Sequence, residues 1–417
     1  MEGEEIRWGV SVCRTRFLAE IPKVFHKLFF ETCRAVLDLH REVSMAGKIE
    51  VKEVRTKKEL MDFIKFPWKV YQNDPYWVPP LIRDVKLILS EKNPFWQHAE
   101  KELFIARRDG KPVGRISAII DHNYINFHKE KMGFFGFFES FEDYTIAENL
   151  FNRAREWLKG KGIEKMAGPM NPSTNDEVGL LIEGFNSNPF IMMTYNPKYY
   201  IYFMERYGLV KGMDFFAYLI EVDKAPLERL EKVAKKIKEK NPDVKIRQGN
   251  LKNWKNEVEN VRTIYNNAWE KNWGFVPWTK EEFYTEAMKL KPFLVPGTIP
   301  IAEVDGKAVG MLITVPNYNE VTKRMNGKLN PWTLLKFLWY RKKITTQRLP
   351  IMGVVKEYQK RGIETLLILE GLKGSQRVGY KYCESSWVLE DNILTQRAAE
   401  MMGGKVYKKY RVYQTSI

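Results

Sequence analysis

Residues 354–367, VVKEYQKRGIETLL, place three basic side chains and a glycine directly before an apolar-periodic run. The run after Gly362 predicts a helix, and the first N–H groups of a helix have no partner within it. Together with the helix dipole these N–H groups favour an anion, and a glycine lets a phosphate approach the main chain closely. The stretch is therefore either a phosphate-binding loop or only a basic turn that begins a helix.

An internal repeat provides a control for this loop. Residues 103–123 and 299–319 align without a gap at a spacing of 196, and each predicts a β-hairpin closed by an Asp-Gly turn. Further along the spacing becomes 217, so that residues 359–362 correspond to residues 142–145, which read Glu-Asp-Tyr-Thr. Two acids and no glycine make a poor phosphate site, so we expect only the second copy to bind one.

The repeat divides the chain into three parts. Residues 1–47 are a charged, amphipathic extension, and our hypothesis is that they are either an appendage or, before Met45, an over-extended reading frame. Residues 48–222 form the first copy. Residues 223–417 form the second copy, which opens with a helix-forming segment. Mass spectrometry of the native N-terminus tests the hypothesis about the extension.

The composition narrows the classes of function. The net charge of +16 favours anionic partners, and the three scattered cysteines suit a reducing compartment rather than a disulfide framework. No histidine has ligand spacing with a cysteine, so no metal site is expected. Charges interrupt every apolar run before the length of about 18 residues that a membrane helix needs. We expect a cytoplasmic protein.

The order of predicted elements resembles one known superfamily. A hairpin, a strand, a loop with Gln-x-x-Gly, a helix, a strand and a helix carrying Asn resemble the GNAT acyltransferases. The phrases NDPYWVPPL, GPMNPSTNDEVGLL, YNNAWEKNWGFVP and SWVLEDN are similar to a tandem GNAT-like group of uncharacterised prokaryotic proteins. The resemblance covers residues 48–417. It implies an α/β fold of two tandem GNAT-like units, each a mixed, mainly antiparallel sheet flanked by helices.

The resemblance also implies where acyl-CoA or acetyl-CoA binds. Residues 353–364, here called the diphosphate loop, would hold the CoA pyrophosphate; Glu364 departs from the usual Gly or Ala and opposes an anion by its charge. Asn392 matches the Asn of the last helix, although it is equally well placed to be a helix N-cap. The residues expected to contact the donor are Gly353, Val354, Val355, Gln359, Lys360, Arg361, Gly362, Ile363, Glu364 and Asn392.

The catalytic groups are less clearly marked. The Tyr that GNAT enzymes use to protonate the departing thiolate falls at Ala399, so that another acid serves, water does, or the thiolate leaves unaided. Glu384 shares a strand face with Ser386 and Val388, and it is our candidate for the general base of the second copy. The alternative is an ordinary carboxylate at the edge of the strand.

Two insertions distinguish the copies. The first contains Asn171, Asn175, Asp176 and Glu177, which we expect to reach across to the second copy and bind the acceptor. The alternative is a structural loop whose side chains satisfy its own backbone. The second contains residues 330–343, NPWTLLKFLWYRKK, which contact a lipid surface, cover an acyl chain or pack on their own domain.

We therefore predict an N-acyltransferase that moves an acyl group from acyl-CoA to a small-molecule or lipid-like amine by direct attack. Two alternatives remain open: a Fem-type transferase that uses aminoacyl-tRNA, and a non-catalytic GNAT-fold binding protein. No RNA-reading motif is evident, so stable nucleic-acid binding is not expected.

Overall fold

The computed structural model describes residues 47–417. The hypothesis about the N-terminal extension concerns residues that lie, except for Gly47, outside the described part of the chain. The first copy contains β1 (Ile49–Glu53), α1 (Lys57–Lys65), α2 (Pro67–Val70), α3 (Ile82–Ile88), β2 (Ala99–Arg108), β3 (Lys111–Asp121), α4 (His122–His128), β4 (Met132–Ser140), α5 (Tyr144–Gly160), β5 (Lys165–Gly168), β6 (Met170–Asn171), β7 (Glu177–Val178), β8 (Leu180–Glu183), α6 (Tyr199–Arg206) and β9 (Val210–Glu221).

The second copy repeats this order. It contains α7 (Leu227–Lys240), β10 (Val244–Gln248), α8 (Trp254–Ala268), α9 (Lys280–Leu290), β11 (Pro300–Val304), β12 (Lys307–Pro316), α10 (Asn319–Thr322), α11 (Pro331–Tyr340), β13 (Thr346–Val354), α12 (Ile363–Val378), β14 (Tyr382–Leu389), α13 (Ile393–Met401) and β15 (Lys405–Ser416).

The two Asp-Gly turns form the same hairpin in both copies. Asp109 and Gly110 have φ values of 50° and 76°, and Asp305 and Gly306 have 49° and 77°. Two consecutive positive φ values define the turn that matches the twist of two-residue hairpins. The turns join β2 to β3 and β11 to β12, as the repeat predicts.

Within the described residues, thirteen strands form one continuous sheet in which the copies exchange their last strands. Strand β9, from the first copy, lies beside β14 of the second, and β15, from the second copy, pairs with β5 of the first. Strands β9 and β15 pair with each other at the centre. The boundary near Val222 therefore separates the copies along the chain but not in space, and residues 50–417 form one compact unit.

The hydrophobic core also crosses the repeat boundary. One cluster joins Ile119 and Phe134 of the first copy to Leu389 and Val412 of the second. A second cluster packs α12 onto α7 and the sheet of the second copy, with Ile363 and Leu367 fully buried. The predicted fold class, an α/β arrangement of two tandem units with a mainly antiparallel sheet, is confirmed.

Candidate active site

Strands β13 and β14 separate at the middle of the sheet. They pair in parallel from Thr346–Tyr382 to Leu349–Ser385, and no further pairs form, although β13 continues to Val354 and β14 to Leu389. We call this unpaired region the strand gap. The edges of both strands that face this gap can present main-chain N–H and C=O groups to a ligand, although the Ser386 carbonyl accepts from Arg348 at 3.2 Å.

A cavity of about 260 Å³ lies at the strand gap. Ile351 of β13 and Trp387 of β14 line it, together with Phe283 of α9. Its wall is mostly aromatic and aliphatic, as in small-molecule sites, and its volume falls just below their usual range of about 300–1,000 Å³. Four further aromatic residues line it: Trp269, Trp273, Phe275 and Trp278.

The diphosphate loop connects the strand gap to α12. No described residue accepts a hydrogen bond from the main-chain N–H groups of residues 360–364. Gly362 is the residue that precedes the helix, with φ of 79° and no side chain to cap it. Five consecutive free N–H groups at a helix N-terminus form a site suited to a phosphate or another anion.

The side chains of this loop fix its shape more than they supply charge. The Arg361 guanidinium donates to both carboxylate oxygens of Asp243, at 2.7 and 2.8 Å, and to Asn241. Gln359 donates from Nε2 to the Val354 carbonyl at 3.0 Å. The exposed Lys360 has no ion pair among the described residues. Of these three side chains, only Lys360 thus remains available to an anion.

Two glycines allow close packing around the loop. A Cβ on Gly362 would lie 2.7 Å from Ile237 of α7, and one on Gly353 would lie 2.6 Å from the Trp269 ring. Trp269 stacks on Tyr265 and lines the cavity. Gly353 therefore joins the diphosphate loop to the cavity wall through one direct contact.

The counterpart in the first copy is closed at both places. Asp143 precedes α5, and its Oδ1 accepts from the Thr145 N–H at 2.9 Å, while its Oδ2 accepts from Arg108. Strands β4 and β5 also separate after Phe134–Ala167. The Met170 carbonyl lies against Gly136 there, and Asn171 Oδ1 accepts from the Phe137 N–H at 2.7 Å. The protein's own groups therefore occupy this site.

The first insertion reaches the second copy. Strands β6 and β7 pair as a short hairpin, whose tip carries residues 172–176. Asn175 donates to the Val276 carbonyl and accepts from the Tyr265 hydroxyl, both at 3.1 Å. Asn175 and Asp176 both line the cavity. Asn171 does not line it, and its side chain accepts from the Phe137 N–H in the first copy. Burial raises the pKa of Glu177, opposed by a hydrogen bond from Asn171 and by the charge of Arg348.

Asp176 is the carboxylate of this loop that faces the cavity. Its Oδ2 accepts from the Ser173 hydroxyl at 2.5 Å. Burial raises the pKa of Asp176 to about 7; the Ser173 hydrogen bond opposes this rise, and the charge of Glu286 supports it. A carboxyl group that titrates near neutral pH can act as a general base. The sequence predicts only that Asp176 contacts the acceptor. It gives no sign of a role as a base, because the raised pKa depends on burial that the sequence does not reveal.

Glu384, our candidate base from the sequence, lies elsewhere. It is fully buried and does not line the cavity. Ser386 donates to it at 2.6 Å, and the Tyr407 hydroxyl donates to its other oxygen. Burial raises its pKa, opposed by the charge of the buried Arg348, whose Nε is 3.9 Å away. With both oxygens engaged, Glu384 is placed to orient Arg348, which does line the cavity.

The last helix of the second copy shows what the Asn there does. Asn392 caps α13, and its Oδ1 accepts from the Thr395 N–H at 3.1 Å. The Asn392 side-chain oxygen therefore acts as the N-cap, while the side-chain amide nitrogen has no partner among the described residues. Ala399, where GNAT enzymes carry a Tyr, is buried.

A charged histidine joins the two copies beside the cavity. His98 contacts Asp121 at 3.0 Å and Glu282 of α9 at 3.1 Å. Burial opposes the charge, but the hydrogen bonds that His98 donates to Asp121 and Glu282 prevail and raise the pKa of His98 to about 9. This contact, here called the His98 clamp, holds α9, whose Phe283 and Glu286 line the cavity. No sequence signal indicated it, since His98 and Glu282 are 184 positions apart.

The described residues contain neither a membrane-spanning helix nor a metal-binding cluster. No helix there has the length and apolar character required to cross a bilayer. No group of three or more His, Cys, Asp or Glu side chains in residues 47–417 is arranged to hold a metal ion.

Comparisons with known proteins found relatives along most of the chain. Protein YghO of Escherichia coli (strain K12) is 36% identical over 374 residues, which cover 88% of this chain and 95% of that protein. Bacterial ceramide synthase of Caulobacter vibrioides (strain NA1000 / CB15N) is 36% identical over 384 residues, which cover 90% and 99%. No protein-family model matches the chain.

Solved structures agree on the fold. A tandem GNAT protein from the clavulanic acid biosynthesis pathway matches with a TM-score of 0.55 and 12% identity, over 88% of this chain and 98% of that one. This likeness shows the fold alone, which is the tandem GNAT fold that the sequence predicts.

Proposed function

This chain belongs to the protein family that contains the bacterial ceramide synthase of Caulobacter vibrioides and Protein YghO of Escherichia coli, and we propose that it is an N-acyltransferase that joins an acyl group from acyl-CoA to a long-chain amine. A ceramide is a long-chain amino alcohol with an acyl group on its nitrogen, so the name of that relative describes an N-acylation product. The second copy would carry the reaction, and the first copy would contribute to the acceptor side.

The observation that carries the proposal is the continuity between an apolar cavity and an anion site. The cavity lies at the strand gap and has an aromatic wall. Gly353 contacts that wall, and the diphosphate loop with its free N–H groups follows directly. An acyl-CoA combines an apolar chain with a diphosphate, and this arrangement suits both of its ends.

Residues of the second copy are placed to hold the diphosphate of the donor. The N–H groups of residues 360–364 and the Lys360 ammonium would hold the diphosphate. Acyl-CoA supplies the activated thioester. In the transfer, the amine nitrogen forms a bond to the acyl carbon, the carbon–sulfur bond breaks, and CoA leaves as a thiolate that takes a proton from water.

Asp176 would accept the proton that the amine loses. Its position in the cavity wall and its pKa of about 7 suit that role at neutral pH. Asn175, held by Tyr265 and Val276, would fix the loop that carries Asp176. Positioning of amine and thioester in one cavity supplies a large part of the rate of such reactions.

The test is a direct assay with sphinganine as the amine. Full-length protein is incubated with sphinganine and with acetyl-, octanoyl- or palmitoyl-CoA, and the N-acyl product is measured by mass spectrometry alongside the thiol released. We expect product with at least one of the long-chain donors. Product formation from aminoacyl-tRNA alone, or binding of every donor without turnover, would overturn the proposal in favour of one of the two alternatives.

A cavity variant links the activity to this site. Ile351→Trp fills the cavity beside the strand gap, and we expect the rate with the long-chain donor to fall at least about tenfold, since the chain no longer fits. Val210→Trp, at an exposed strand position far along the sheet, is the matched control. Equal losses in the two variants would mean that the cavity is not the acyl or amine site.

A further inference from the structure

Helix α11 presents an apolar face to solvent. Trp332, Leu335 and Trp339 are 66%, 59% and 67% exposed, and their spacing places them on one side of the helix. Leu334 and Leu338 are exposed beside them. Soluble proteins rarely leave a contiguous apolar patch with two tryptophans uncovered, so such a patch indicates a binding surface.

The charge around this face has a single sign. Between Val321 and Ile344 the chain carries seven basic residues and no acidic residue. Residues 341–343, Arg-Lys-Lys, follow the helix directly and are all exposed. Lys336 and Lys343 extend over the rings of Trp332 and Trp339, at 5.8 and 5.5 Å. Tryptophan with flanking Lys and Arg is the combination found where proteins meet the headgroup region of a bilayer.

The face is held rigidly. Asn330 and Thr333 cap the helix reciprocally, each accepting at 2.9 Å from the other's N–H. On the inner side, Phe337 stacks on Tyr318 with centroids 5.6 Å apart and meets Phe293 at 6.1 Å. The helix therefore packs on its own domain through one side, and the described residues of the chain leave the opposite side exposed.

The helix also adjoins the cavity. Phe293, which contacts Phe337, lies in the chain between Leu290 and Leu294, and both of these leucines line the cavity. Phe293 therefore lies between the inner side of α11 and two residues of the cavity wall.

We propose that α11 and residues 341–343 dock the protein on an anionic lipid bilayer, with the tryptophans inserted at the headgroup level and the basic residues against lipid phosphates. The proposal goes beyond the proposed function, because docking needs neither a donor nor an amine. Charge complementarity selects this occupant: a second copy of the chain would bring seven basic residues against seven more.

The test is co-sedimentation of the full-length protein with vesicles. Vesicles of phosphatidylcholine with phosphatidylglycerol are compared with vesicles of phosphatidylcholine alone, at low and high salt. We expect binding to the anionic vesicles that weakens with salt. Trp332→Ser with Trp339→Ser should weaken it about tenfold. Replacing Arg341, Lys342 and Lys343 by Gln should remove the preference for phosphatidylglycerol.

A matched control removes another exposed aromatic. Tyr202→Ser alters a ring that is 54% exposed in the first copy, and it should bind vesicles as the wild type does. Circular dichroism establishes that all variants are folded. Absence of vesicle binding, or equal binding by the tryptophan variant, would overturn the proposal. A concentration-dependent dimer that the tryptophan substitutions abolish, without any vesicle binding, would assign the face to a second copy instead.

Because lipid binding and acyl transfer are measured separately, the two proposals fail separately. A protein that binds vesicles but forms no N-acyl product keeps the docking surface and loses the transferase. A protein that acylates sphinganine in detergent but ignores vesicles keeps the transferase and loses the docking surface.

Discussion

The two copies share a scaffold but differ in what their side chains do at the same two places. In the second copy Gly362 precedes the helix after the central strand, and no described residue accepts from the N–H groups of residues 360–364. In the first copy Asp143 caps the corresponding helix, and Met170 with Asn171 occupies the space between the strands. In the first copy a single acidic N-cap and a few inserted residues thus occupy the two places that are open in the second copy. The surrounding sheet is the same in both.

The comparison also shows how the closed copy can still serve the open one. The insertion that fills the first strand gap continues into the hairpin tip that carries Asn175 and Asp176 to the cavity. The exchanged strands β9 and β15 lie between the two gaps and hold them in one sheet. We infer that the copies specialised together rather than one being redundant.

Asp176→Asn should give the largest effect, because it removes the base that the first copy is proposed to supply. We expect kcat to fall about 100-fold or more, with donor binding unchanged. The wild-type rate should rise with pH through about 7, as Asp176 loses its proton, and the variant should lack this rise. Rates measured across pH check both.

Glu183→Gln, an exposed change on the neighbouring strand, is the control for Asp176 and should keep the wild-type profile. If Asp176→Asn retains the wild-type rate and profile, the first copy does not supply the base.

His98→Gln should weaken the junction between the copies. The rise of the pKa of His98 from 6.5 to about 9 corresponds to about 3 kcal/mol, which solvent screening reduces to about 1–2 kcal/mol. Since the folded pKa is the higher one, this stability is fully present below pH 6.5 and is lost as the pH rises through about 9. Urea unfolding of both proteins below pH 6.5 and above pH 9 should show the difference only at the lower pH.

His122→Gln is the matched control for the clamp, because His122 pairs with Glu100 at the surface, where such pairs contribute little. Equal losses for the two histidines, or a loss at His98 that does not depend on pH, would contradict the charged clamp.

Lys360→Ala should weaken acyl-CoA binding about fivefold, and the loss should shrink at high salt, because one exposed charge near the diphosphate is removed. Calorimetric titration at two salt concentrations measures this. Lys131→Ala, an equally exposed change in the first copy, should leave the affinity unchanged. A similar loss in both variants would point to the overall charge of +16 rather than to the diphosphate loop.

Asp143→Ala should give the smallest effect. It separates the contribution of the N-cap in the first copy from that of the residues that fill its strand gap. Loss of the N-cap should lower the free energy of unfolding by about 1 kcal/mol. It should not create a second donor site, because Met170 and Asn171 still fill the strand gap. Thermal unfolding and the stoichiometry of acyl-CoA binding test the two parts, and a stoichiometry of two would contradict the second.

Local signals in the sequence predicted much of the fold and little of the site. The Asp-Gly turns, the helix after Gly362 and the Asn392 cap are decided by neighbouring residues, and the structure shows all three. The strand exchange and the contact of His98 with Glu282 depend on packing between residues far apart in the chain. The same holds for the position of Asp176 in the cavity wall and of Glu384, which the strand pattern alone had favoured, away from it.

The central claim is that only the second copy offers main-chain N–H groups to the diphosphate of acyl-CoA. The most direct measurement is the stoichiometry of acyl-CoA binding by calorimetry in two mirrored variants, Gly362→Trp and Thr145→Trp, which occupy corresponding positions. The account predicts one site per wild-type chain, abolished by Gly362→Trp and retained in folded Thr145→Trp. Two sites per chain, or binding that survives Gly362→Trp, would contradict it.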